Sequence, residues 1–325
     1  MQAVLALAFK ANEASVITAT AALILLIGAL NPKFLAVSQL VDVVRQAVFV
    51  GVLASALSFL LAMREIDLSI DSSFALTLVS AALLIKGGLS PWLAALAALA
   101  LGGALGAFNA AIIRYVRIPS LIATLATLSL FRGAVFAISG GQQVIGLPLE
   151  HPFFDFFGGR FLLGLPVSVW TMAVLVIVLN GVLYYTPFGY RVRQIGSNPA
   201  AAAFSGIPVA RVRMQAFILA GVLAGVAGLL ALTFFASADP NIGSGLGLSA
   251  VAAAVIGGTP LRGGTATAIG AAIGAILLSA VTSGLVYFNI PANWSQFATG
   301  AVILTAVSFD SLIRNRGKPA PLEES

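Results

Sequence analysis

Cysteine is absent from this chain of 325 residues, and histidine occurs once, as His151. Thiolate nucleophiles, disulfides, zinc ribbons and iron–sulfur clusters are therefore excluded, and one imidazole cannot build a zinc site. The cation of a phosphate loop is missing too. The stretch Gly258-Thr-Pro-Leu-Arg-Gly263-Gly264-Thr265 carries Gly264 where GxxxxGK[ST] needs lysine, so no nucleotide site is expected. Gly243-Ser-Gly245-Leu-Gly247 follows no strand and is no dinucleotide fingerprint. Charge is scarce: Asp, Glu, Lys and Arg make up 9% of the residues, against about 25% in a soluble domain. What is abundant is apolar: 60% of the chain, well above the usual share of about 45–50%. Surface outweighs interior at this length, so such a composition requires lipid as the solvent for much of the surface. The expected class is all-α and polytopic, a single transmembrane unit over residues 1–325. Lys10 and Glu13 precede the first long apolar run with no cleavage site behind a basic region, so no secretory signal is expected.

A helix crosses a hydrocarbon core of roughly 30 Å with about 20 apolar residues. Runs of that kind lie near 14–30, 41–62, 70–86, 91–113, 119–139, 166–186, 214–237, 247–260, 265–288 and 293–312, which gives about ten spans. The run at 247–260 is short, as a broken or re-entrant segment would be. With the N-terminus in the cytoplasm, the inner side holds Lys10, Arg64, Arg114, Arg117, Arg191, Arg193, Arg211, Arg213, Arg262, Arg314, Arg316 and Lys318. The outer side holds Lys33, Lys86 and Arg160. That positive-inside bias places both termini inside and makes 313–325 a cytoplasmic tail. The net charge of +6 is thereby explained by membrane topology, and no nucleic-acid partner is expected.

Two connections are long. The outer one, 140–165, is rich in Gly, Pro and aromatics and suits a periplasmic interfacial element. The inner one, 186–215, has Arg at both ends and an Ala-rich middle opened by Asn198-Pro199, an N-cap followed by proline at the first helical position. A short helix is expected at about 199–205, ended by Gly206, with another beginning after Pro208. The segment 187–212 reads as a docking surface for a cytoplasmic partner. Within the spans, the cluster Arg64-Glu-Ile-Asp67-Leu-Ser69-Ile-Asp71 is the clearest polar feature. Asp67 and Asp71, four apart, would share a helix face. They read either as caps of the next helix or as a broken-helix element facing a polar cavity. The Gly- and Pro-interrupted stretch 255–265 can break a helix in the same way. Asn109, Thr124, Thr127, Arg132, Asn180 and Gln296 are further polar residues within spans, and Gly102/Gly106, Gly221/Gly225 and Gly270/Gly274 permit close helix packing. No span carries the serial Asp/Glu/His relay of a proton pump, so the energy enters from elsewhere.

Several of these stretches together resemble the permease subunits of bacterial ABC importers for monosaccharides, the ribose/xylose/arabinose/galactose group. The resemblance rests on Arg45-Gln46 ahead of Ile66-Asp67-Leu68-Ser69, and on Asn109 followed by Ile118-Pro119-Ser-Leu-Ile-Ala-Thr124-Leu-Ala-Thr127 and Arg132-Gly133. It rests further on Gly196-x-Asn198-x2-Ala201-Ala202-x2-Ser205-Gly206-Ile207 and on Ala254-Val-Ile-Gly257-Gly258-Thr259-x3-Gly263-Gly264. In order, these blocks cover about residues 40–270. The chain departs from the pattern at Arg64-Glu65, where the family usually has a Gly pair, and at Asp71, where it often has Gly, as a subgroup with a different sugar-like ligand would.

The resemblance implies a type II-like permease fold with no catalytic, metal or cofactor site of its own. ATP would be bound by a separate cytoplasmic ATPase seated on Gly196, Asn198, Ala201, Ala202, Ser205, Gly206 and Ile207. A periplasmic substrate-binding protein would dock outside, and a second permease copy or sister subunit would complete the pathway in the bacterial inner membrane. Asp67, Ser69, Asn109, Thr124, Thr127, Gly257, Gly258 and Thr259 would line that pathway. The competing reading is a gradient-driven secondary transporter that needs no ATPase.

Overall fold

A computed structural model describes residues 11–305 apart from 289, 292, 293, 295, 302 and 303. Among the described residues the chain is helical without strands, and two isolated bridges, Val144 with Ala238 and Arg160 with Pro166, tie its connections. Seven helices are long and apolar enough to cross a membrane. They are α1 (Ala11–Leu30), α2 (Val37–Ala62), α4 (Pro91–Val116), α5 (Ser120–Ser139), α7 (Val167–Tyr185), α10 (Val209–Phe235) and α12 (Ala268–Tyr287). Between them lie α3 (Ile70–Lys86) and the short α6 (Pro152–Gly158), α8 (Pro187–Ser197), α9 (Pro199–Phe204) and α11 (Leu246–Ile256). Of the last expected span, 293–312, helical backbone is described at 296–301 and 304–305. Lys10 and the tail 313–325 fall outside the described residues.

Helix α2 is the centre of the bundle: from Ala47 to Ala62 every residue is buried. The outer helices α4, α5 and α7 each bury one stripe and expose large apolar side chains such as Leu96, Phe108, Ile122, Leu125, Ile177 and Val178. Water would not tolerate that belt, and lipid does. In lipid, helices associate through close packing of small residues. A methyl group added to Gly102 or Gly106 of α4 would collide with the backbone carbonyls of Gly221 or Phe217 on α10, and one added to Gly274 of α12 with that of Ala253 on α11. The small-residue spacings of the sequence therefore mark two real seams.

The helix ends sort onto two faces. One face gathers the C-termini of α2, α4 and α7, helices α8 and α9, and the N-termini of α10 and α12. Contacts from Arg64 to Gly196, from Arg213 to Glu65 and from Glu13 to Thr267 hold it together. The opposite face holds Lys33, Lys86 and the 140–165 connection with α6. There His151 caps α6 by accepting a hydrogen bond at Nδ1 from the Phe153 N–H, 3.2 Å away.

The helix expected at about 199–205 is α9, capped by Asn198, and the one expected after Pro208 is α10, which starts at Val209. The connection 186–215 carries one helix more than expected, α8, capped by Thr186 with Pro187 at its first position. The short run expected at 247–260 holds helix α11, whose 11 residues rise about 16 Å, roughly half the core, after the non-helical stretch 239–245. Asp67 and Asp71 do not share a helix face, because α3 begins only at Ile70 and Asp67 lies in the turn before it.

Candidate functional site

Three polar constructions stand out in this apolar bundle. The first is on the face built from α8 and α9. The Asn198 side chain accepts from Ala201 N–H at 3.0 Å, satisfying one orphan donor of α9, and Gly206 ends that helix at φ +80°. Ala202 is the only member of α9 that is buried, so the rest of the helix is presented outward, with the Phe204 ring 93% exposed. Gly196 is pressed so tightly on the end of α2 that a side chain there would overlap the Ala62 carbonyl. The Ala62 carbonyl also accepts from Gly264 N–H at 2.8 Å, so α2, α8 and the 263–264 turn meet at one point. Arg64 closes the junction. It stands in the left-handed region at φ +64°, and its guanidinium donates from Nε to the Gly196 carbonyl at 2.7 Å and from Nη2 to the Ser197 carbonyl at 3.0 Å. Glycine would adopt that backbone without strain, and the two charge-assisted hydrogen bonds offset what arginine loses there. Glu65 beside it pairs with Arg213 of α10 at 2.6 Å.

The second construction is a buried knot. Asp67 Oδ1 accepts from the Ser69 N–H at 2.9 Å and the Ser69 hydroxyl at 2.6 Å. Asn109 of α4 donates to Ser69 Oγ at 2.7 Å, and Thr124 of α5 donates to the Ile66 carbonyl at 3.2 Å. These four side chains are brought together by the α2–α3 connector and are buried. Thr127 stays apart, bonding back to the Thr124 carbonyl. Gly257, Gly258 and Thr259 lie elsewhere, on the face of α8 and α9. There Thr259 Oγ1 accepts from Thr267 N–H at 3.2 Å, Ser58 lies 3.4 Å away, and Gly257 packs against Gly270.

The third construction is a pair of adjoining cavities of about 580 and 590 Å³ that share Gln46 and Thr282. The first lies between the outer halves of α2 and α12 and is lined by Gln39, Asp42, Arg45, Ser283 and Tyr287. The second extends along the unwound stretch to Ser244, Ser249 and Gln296. Tyr287 donates its hydroxyl to Gln39 at 2.7 Å. The Arg45 guanidinium stacks 4.3 Å from the Phe234 ring centroid, its Nε without a hydrogen-bond partner among the described residues, and Ser283 Oγ is likewise buried and unpartnered.

None of the eight residues expected along the pathway lines either cavity. Sequence reasoning named Arg45-Gln46 and Gln296 but did not assign them a site, and it missed Gln39, Asp42, Ser279, Thr282 and Ser283. A signal was available: Gln39, Asp42 and Gln46 at i, i+3, i+7 share one face of the outermost turns of α2, and Ser279, Thr282 and Ser283 at i, i+3, i+4 form one polar stripe on the otherwise apolar α12.

Residues 39–307 match the family described as the permease component of a branched-chain amino acid transport system. The chain belongs to this permease family. Similar proteins include a ribose import permease of Bacillus subtilis (strain 168), 35% identical over 288 residues and 89% of each chain. An autoinducer 2 import system permease of Enterobacter sp. (strain 638) is 36% identical over 94% of this chain and 88% of its own. An L-arabinose ABC transporter permease of Azospirillum brasilense is 34% identical over 88% and 83%. No solved structure matches. The protein is thus the multi-pass membrane permease of an ATP-binding cassette importer, a transport subunit and not an enzyme, with ATP hydrolysis on a separate subunit.

Proposed function

We propose that this permease conducts a small polyhydroxylated solute, a monosaccharide or a sugar-like signal molecule, through the paired cavities around Gln46 and Thr282. The observation that carries the reading is their lining: amides, hydroxyls, Arg45 and the carboxylate of Asp42, set beside apolar side chains such as Phe234 and Leu278. Such a surface exchanges hydrogen bonds with several hydroxyl groups at once, as a sugar requires. The relatives named for ribose, L-arabinose and autoinducer 2 support the same substrate class.

On this reading both termini are cytoplasmic, α8 and α9 seat a cytoplasmic ATPase that binds ATP, and the 140–165 connection with α6 meets a periplasmic binding protein. Two permeases, identical or sister, make the complete pathway. The knot of Asp67, Ser69, Asn109 and Thr124 then acts behind the pathway, as a rigid coupling of α3, α4 and α5. Thr259 with Thr267 and Ser58 forms the seal on the cytoplasmic side, and motion of α8 and α9 opens it.

The family description favours a second substrate, since Asp42 and Arg45 could pair with the ammonium and carboxylate of an amino acid. The test is ATP-driven uptake in proteoliposomes holding the permease, its ATPase and its binding protein, with labelled D-ribose, L-arabinose and L-leucine. Sugar uptake that is lost in Gln46→Leu while the complex stays assembled supports the proposal. Uptake of leucine alone, or sugar uptake indifferent to Gln46, overturns it.

A further inference from the structure

The unwound stretch 239–245 poses a physical problem. Its backbone is paired by no regular helix, and in an apolar bundle such backbone persists only where protein or a cavity satisfies it. Turns within the stretch pair some groups, among them Ile242 N–H with the Asp239 carbonyl and Ser244 N–H with the Asn241 carbonyl. Two side chains from other helices pair others. Arg132, in the middle of α5, donates from Nη1 to the Pro240 carbonyl at 3.1 Å and to the Ile242 carbonyl at 3.3 Å. Its Nη2 lies 3.7 Å from Asp71 Oδ1 in the first turn of α3. Asp71 completes the ring by accepting the Gly245 N–H on Oδ2 at 3.3 Å, and Ser72 holds its other oxygen at 3.1 Å. The glycines of the stretch fit this arrangement. Gly243, at φ +91°, lies so close to Phe74 that a methyl group there would come within 2.6 Å of its ring, and Gly247 sits against Asp71. The end of the same stretch, Ser244 and Gly245, and the first turn of α11 that follows it, with Leu246, Leu248 and Ser249, form a wall of the second cavity.

We propose that Arg132 and Asp71 are positioning residues that together hold the stretch 239–245 against α3 and thereby set the shape of the cavity wall that the transported solute meets. The inference rests on the cavity reading above and adds the device that fixes one of its walls. Removing either charge leaves the other without its ion-pair partner and frees the stretch at one end. The wall moves while the helices that build the coupling face remain in place.

The cysteine-free chain allows the wall to be read directly. Ala250→Cys, fully buried at the fifth residue of α11, reports on the stretch, and Ala280→Cys, fully buried in α12, serves as control. Each is labelled with a membrane-permeant maleimide in vesicles holding the full importer, with and without Asp71→Asn or Arg132→Gln. The expected result is labelling of Ala250→Cys faster by about tenfold with Ala280→Cys unchanged. In parallel, KM for the transported sugar should rise about tenfold with kcat within about threefold, and Asp71→Glu should recover part of the loss. Equal acceleration at both cysteines means general loosening of the bundle and overturns the proposal, as does unchanged labelling at Ala250→Cys. If the wild-type importer moves none of the sugars, the cavity reading fails, while the labelling ratio still decides whether the pair holds the stretch.

Discussion

Gly196→Ala should separate ATP hydrolysis from transport. A Cβ on Gly196 would stand inside the van der Waals envelope of the Ala62 carbonyl and 2.5 Å from the Gly264 nitrogen. Atoms in ordinary contact sit about 3.5 Å apart or more, so α8 must withdraw from α2 by about 1 Å or more. That withdrawal stretches the Arg64 hydrogen bonds to the Gly196 and Ser197 carbonyls, now 2.7 and 3.0 Å, and loosens the Gly264 to Ala62 bond. Overpacking of this kind destabilises by about 1–3 kcal/mol. The bundle retains its other seams, so the loss should appear as local detachment of α8 and α9. The control is Gly181→Ala in α7, where an added methyl group meets nothing within 4 Å. In nanodiscs holding the permease, its ATPase and its binding protein, the variant should retain the ATPase but lose most of the stimulation of hydrolysis by loaded binding protein. In proteoliposomes holding the same components, uptake per ATP hydrolysed should fall several-fold, and Gly181→Ala should match wild type. Wild-type stimulation and stoichiometry in Gly196→Ala would refute the argument that the junction of α2, α8 and the 263–264 turn transmits motion.

Two further outcomes follow from the same geometry. Asn198→Ala removes the cap that holds the first turn of α9 and should lower stability by about 1 kcal/mol, read as weaker co-purification of the ATPase, whereas Asn198→Asp should retain it. Gly106→Val in α4 drives a branched side chain into the Phe217 carbonyl of α10 and should lower the detergent melting temperature and yield sharply, while Gly133→Ala, with open space around it, should not.

Much of this protein is written along the chain. The spans near 70–86, 91–113, 119–139, 166–186 and 265–288 coincide with helices to within a few residues, because lipid forces the backbone to satisfy itself and each run of apolar residues can do so only as a helix. The cap at Asn198, the stop at Gly206 and the close seams of Gly102 and Gly106 are local properties of side-chain size and hydrogen bonding, and so were readable in one dimension. The lost coincidence of Asp67 and Asp71 on one helix face shows the limit. Their spacing suits a helix, but Asp67 is taken by Ser69 in a turn, and where a helix begins is decided by what packs around its first residue.

The site was legible in part only. Sequence by itself determined the membrane class, the helical content and the family. Each of these depends on composition, or on residues close together in the chain. Only the tertiary structure decided that the conspicuous polar block at Asp67, Ser69, Asn109 and Thr124 closes on itself. It alone brought the modest stripe of Gln39, Asp42 and Gln46 opposite Ser279 and Thr282 across a cavity. It alone drew Arg132 to Asp71 across 61 residues of chain to hold a third, unwound segment. The physical reason is shared: in a low-dielectric bundle every polar group must find a partner, and which partner it finds depends on helix packing, to which the order of residues gives only the components.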